Sequence, residues 1–80
     1  MSSSRNERIK EERIKLARKV GERIVGLRNR ENLTRDDLAD RLGIYTTTLR
    51  RYEVEGRLIP PDIGKLVVKY FDISLDKLYF

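Results

Sequence analysis

The 80-residue sequence contains no cysteine, which removes disulfides and thiolate metal ligands and fits a reducing cytoplasm. It contains no histidine either, so the commonest general base and the commonest nitrogen ligand for zinc are missing. No apolar run approaches the roughly 18 residues of a membrane span. Met1 to Ser4 lead into charges rather than into a signal-peptide core. A soluble, cytoplasmic chain is the expectation. No segment alternates apolar and polar residues at period two. No Gly-rich loop is available to cradle a phosphate, and no pair of titratable groups reads as a general acid and base. Neither enzyme activity nor a cofactor is therefore expected. Asp36, Asp37 and Asp40 make an acidic cluster, but helix-start chemistry accounts for the first two, so no metal is expected there.

What is present fits one domain with a single modest core. The net charge of +5, with a pI near 9.8, points to an acidic partner. Its distribution says more than its sum. Residues 1–19 hold seven Lys/Arg against three Glu, whereas residues 20–80 hold eleven against ten acidic groups. The basicity thus belongs mostly to residues 1–19, a basic N-terminal extension ahead of the domain at residues 20–80. That extension is read as a helix continuing the first one, as a disordered arm along an acidic polymer, or as an appendage with no role of its own. It has no Trp or Phe to anchor it in a membrane surface.

Two prolines, five glycines and regular apolar spacing predict an all-α chain of five helices joined by short turns, with no internal repeat. The first stripe is Ile9, Leu16, Val20, Ile24 and Leu27, which keeps one face of a 3.6-residue helix. Val20 to Arg30 is the surest part of it, and Asn32 suits a left-handed ending. Thr34 caps the second helix, with Asp37 where a capping-box acid belongs, and Leu38, Ala39 and Leu42 face inward before Gly43 ends it. The third helix spans Thr46 to Glu53 and buries Leu49 and Tyr52. A loop from Val54 to Pro60 follows. Pro61 opens the fourth helix, whose inward set reads Ile63, Leu66, Val67, Tyr70 and Phe71. Ser74 caps a short fifth helix with Leu75 and Leu78 inward.

The informative piece is the run RDDLADRLGIYTTTLRRYE from Arg35 to Glu53. Ala39 is small where two helices cross closely, Gly43 supplies the turn, and Ile44 and Leu49 plug the angle. A short turn of this kind sets its helices at roughly 90–120° and projects the second outward. Together with VGERIVGLR from Val20 to Arg28 and PPDIGKLVVKYFDISLDKLY from Pro60 to Tyr79, it resembles the Cro/CI-type helix-turn-helix family, also called the XRE family. The likeness covers residues 20–80 and includes the five-helix layout of that family.

That resemblance implies a DNA-binding domain whose third helix reads base edges with Tyr45, Thr46, Thr47 and Arg50. It implies phosphate contacts from Thr34 and Arg35 at the start of the second helix, from Arg51 beside the readers, and from Arg57 in the following loop. It also implies a structural ion pair between Arg28 and Glu53. The family often has Gln where this chain has Arg35 and a small Ser where it has Tyr45, and the loop after Glu53 is about one residue longer here. Arg50 has the chemistry to fork onto guanine O6 and N7, and threonine methyls suit a thymine methyl. The expected function is site-specific binding of double-stranded DNA as a transcriptional regulator, a repressor acting as a homodimer on a pseudo-palindromic operator. Leu78, Tyr79 and Phe80 are the first candidate dimer interface, and Ile14 with Val25, off the main stripe, the second. Two rivals remain: a bridging module of the same fold that joins other proteins, and the DNA-binding half of an antitoxin. With no separate sensing domain in these 80 residues, regulation through a protein partner is expected, unless the chain is a piece of something longer.

Overall fold

The computed structural model describes residues 2–80, with side chains from Glu7 onward. Five helices follow in order: α1 (Ser2–Arg30), α2 (Arg35–Leu42), α3 (Thr46–Glu53), α4 (Pro61–Phe71) and α5 (Leu75–Tyr79). Among the described residues there is no strand. No helix among the described residues is long and apolar enough to cross a membrane. At about 1.5 Å per residue, the 29 residues of α1 account for most of the 46 Å long dimension.

The core gathers one face from each helix. Val20 and Ile24 of α1, Leu38, Ala39 and Leu42 of α2, Leu49 of α3, Val67 of α4 and Leu78 of α5 are buried together. Helix α1 packs on α3 and α5, α2 on α3 and α4, and α4 on α5. Three further core members, Ala17, Leu33 and Ile59, were not marked by the apolar stripes. Leu33 and Ile59 lie in connections, where helical periodicity has no reading to offer.

Several expected core positions are corrected. Ile9 is exposed, as are all the side chains from Glu7 to Lys15. Leu66 and Leu75 are also exposed. On α4 the buried line runs instead through Gly64 and Val67, rotated towards α5. Gly64 lies so close to Tyr79 that an added Cβ would stand 2.6 Å from the phenol oxygen, and that hydroxyl donates to the Ile59 carbonyl at 3.1 Å. Burial raises the pKa of Tyr79 above the ordinary tyrosine value.

Helix ends follow local chemistry. Asn32 and Asp72 both take the left-handed conformation at chain reversals, with φ of 57° and 54°. Ser74 accepts a hydrogen bond from the Lys77 N–H at 3.2 Å. Pro60 and Pro61 open α4, with Pro61 in the first turn where its missing N–H is not needed.

Candidate nucleic-acid interface

The site begins with the cap that fixes α2. Thr34 is extended, and its hydroxyl oxygen accepts from the Asp37 N–H at 3.1 Å while Asp37 accepts from the Thr34 N–H at 3.0 Å. The Thr34 N–H, then the Thr34 side chain, hold the Asp37 carboxyl below the usual carboxylate pKa. Thr34 is exposed, and its hydroxyl still has a proton to donate.

At the other end of α2, Gly43 adopts φ 73°, a left-handed conformation costly for other residues. The Gly43 N–H reaches Asp40 O at 3.1 Å and the Ile44 N–H reaches Ala39 O at 3.0 Å. This paired closure turns the chain sharply and sends Ile44 back towards the core. Two residues later α3 begins.

Leu49, fully buried, sets the rotation of α3, with Thr48 and Tyr52 half-buried beside it. At 100° per residue, Thr47 and Arg51 lie opposite Leu49 and Arg50 lies on the flank next to them, all three exposed. Thr46, at the margin of that face, is half-buried. Tyr45 precedes the first turn in an extended conformation, makes no capping hydrogen bond, and is 82 % exposed. The start of α3 therefore presents unclaimed backbone N–H groups and the positive end of the helix dipole beside an aromatic ring.

Behind this face lies a part-buried ionic triad. Glu53, its side chain fully buried, takes Arg28 in a two-point contact, Nε to Oε2 at 2.9 Å and Nη2 to Oε1 at 3.1 Å. Arg35 Nε donates to Oε1 at 2.9 Å. Arg28 also donates to the Leu33 carbonyl at 3.2 Å, so the triad fastens α1, α2 and α3 together. The Arg28–Glu53 pair that the resemblance implies is formed, with Glu53 covered and Arg28 part-exposed. Arg35, half-buried at the start of α2, has its Nε turned to Glu53. The Arg35 contact spans eighteen residues of sequence, beyond any local spacing rule.

Arg51 and Arg57 are exposed, and among the described residues neither forms an ion pair. The Arg57 N–H bonds the Arg51 carbonyl at 3.2 Å, which folds the loop back onto the end of α3. Arg50 meets an acidic neighbour not singled out in the sequence. Glu55 Oε2 lies 3.1 Å from Arg50 Nη1 at the exposed end of the helix.

The proposed dimer residues separate. Leu78 is fully buried inside the core, so it cannot offer a surface. Tyr79 is half-buried with its hydroxyl engaged, whereas Phe80 is 75 % exposed. Ile14 is exposed and Val25 half-buried. Arg23, also unremarked in the sequence, donates to the Lys77 and Phe80 carbonyls and ties the end of α5 to α1. Another missed position is Gly21, where a Cβ would come within 2.4 Å of the Tyr52 carbonyl oxygen. Its signal was present as a buried-face glycine that helix propensity alone disfavours.

A family model described as "Helix-turn-helix" matches residues 26–78. No curated protein and no solved structure matches the chain.

Proposed function

The chain belongs to the helix-turn-helix family of the Cro/CI type, a family of DNA-binding transcription regulators, and from that premise we propose that it reads duplex DNA through α3 as a homodimeric repressor. The observation that carries this reading is the outward face of α3. Thr47, Arg50 and Arg51 are exposed on it while Leu49 on the reverse is fully buried. Tyr45, Thr46, Thr47 and Arg50 are the base readers. Arg50 supplies the fork for guanine, and the threonine methyls and the Tyr45 ring supply apolar contact for thymine. Thr34, Arg51 and Arg57 hold phosphates, which position the helix without specifying sequence. Arg35 joins them only through the guanidinium nitrogens not turned to Glu53.

One α3 reads few base pairs, so two copies on half-sites about one helical turn apart complete the operator. Leu75 and Phe80, both exposed on or next to α5, form the contact surface between copies. The bridging-module alternative draws on the near-neutral charge of residues 20–80, eleven basic against ten acidic groups. A salt titration separates the two. Duplex binding is expected to fall steeply between about 50 and 200 mM salt, as several phosphate contacts require. No duplex binding at low salt would favour the bridging module.

A further inference from the structure

We propose that Glu55 is a specificity-positioning residue: it holds the Arg50 guanidinium in the orientation that reads one base pair, and it lowers affinity for every other sequence. This inference rests on the reading of Arg50 as a base contact.

Three features carry it. The first is geometric. Arg50 Nη1 and Glu55 Oε2 are 3.1 Å apart, so one edge of the guanidinium is engaged and the other donors keep a defined direction. A planar five-donor group oriented this way is prepared for two-point contact with a guanine edge. The second feature is that Glu55 sits in a turn of defined shape. The Val54 N–H bonds the Arg50 carbonyl at 2.8 Å, the Arg57 N–H bonds the Arg51 carbonyl at 3.2 Å, and Gly56 takes φ 72° between them. The backbone carrying the carboxylate is therefore fastened to the last turn of α3.

The third feature is that the pair has little to do for the fold. Its side chains are 54 % and 45 % exposed, and exposed ion pairs stabilise weakly. The buried carboxylate of Glu53 already ties the helices together through Arg28 and Arg35. A carboxylate at the reading end of a DNA-binding surface is also repelled by phosphates. Its presence penalises loose, non-specific binding while the guanidinium it steadies retains its match to the right base. The repulsion falls on all duplexes alike, so discrimination rises through the steadied guanidinium, whose match to the right base offsets that penalty at the selected duplex alone.

The test measures affinities of the full chain for its selected duplex and for duplexes altered at each position in turn. Five proteins are compared: the unaltered chain, Glu55→Ala, Glu55→Gln, Arg50→Ala and the double variant. Arg50→Ala is expected to cut discrimination at one base pair by roughly 5- to 150-fold. Glu55→Ala is expected to tighten binding to altered duplexes more than to the selected one, compressing the ratio several-fold at that same base pair. In the Arg50→Ala background it should leave the ratio unchanged. Glu55→Gln, which retains an acceptor oxygen, should recover part of the ratio. Thermal unfolding of the five proteins checks that each is folded. A uniform rise in affinity for all duplexes in Glu55→Ala would overturn the positioning role and leave Arg50 as a reader. Arg50→Ala weakening every duplex equally would overturn both, and so would failure of the unaltered chain to bind any duplex at low salt.

Discussion

Gly21 and Gly26 lie on one helix, and a methyl group added to each has opposite consequences. At Gly21 the new Cβ meets backbone, 2.4 Å from Tyr52 O and 3.2 Å from Glu53 O, so α1 and α3 must separate. Gly21→Ala is expected to destabilise by about 1–3 kcal/mol, the range for overpacking. At Gly26 there is nothing within 4 Å, and Gly26→Ala should stabilise by about 1 kcal/mol through helix propensity alone. Thermal melts read both, since about 1 kcal/mol moves the midpoint of a small domain by roughly 4–8 °C. Equal effects at the two sites would mean that α1 and α3 do not approach as closely as described. Glu53 offers a second residue-scale test. Glu53→Ala strands Arg28 and Arg35 without their carboxylate and should cost about 3 kcal/mol. Urea unfolding measures it, and a loss below about 1 kcal/mol would place the triad among weak surface pairs.

At the scale of the element, α2 depends on its first turn. Thr34→Ala removes the hydroxyl that accepts from Asp37 N–H and should cost about 1 kcal/mol. Asp37 adds a dependence on pH. Its folded pKa is depressed, chiefly by the Thr34 N–H and then by the Thr34 side chain. The unfolded chain therefore takes up the proton first, and the carboxylate's contribution is present above the ordinary Asp pKa near 4 and lost below it. The stability gap between the unaltered chain and Asp37→Asn should be full at pH 7 and close as pH falls below about 4. Urea unfolding at several pH values checks it, and a gap constant with pH would assign Asp37 no ionic role. Elements of this kind were legible in the sequence because their signals are local. Thr34, Gly43, Pro61 and Ser74 stand where the helix boundaries fall, and α3 spans the predicted Thr46 to Glu53. Exposure of Ile9, Leu66 and Leu75 was not legible, since periodicity marks a face but not the stretch of it that finds a partner. Arg35 with Glu53, and Arg50 with Glu55, were equally hidden. Each contact depends on how a turn or another helix brings the two groups together.

For the molecule as a whole, core and charge are largely separate. Among the described residues the buried core begins at Ala17, while most of the surplus positive charge lies within residues 1–19. Removing residues 1–13 should therefore leave the melting midpoint nearly unchanged, and a fall of more than a few degrees would mean that this part of α1 supports the fold. The salt dependence of duplex binding in the same truncated chain then reports whether those charges touch DNA. The central claim, that the exposed face of α3 reads duplex DNA, is tested most directly by selection from a randomised duplex pool at low salt. The expected result is enrichment of an inverted repeat with half-site centres about one turn, roughly 10–10.5 base pairs, apart, with one position losing its preference in Arg50→Ala. A pool that stays random after repeated rounds, with the chain folded throughout, would contradict it.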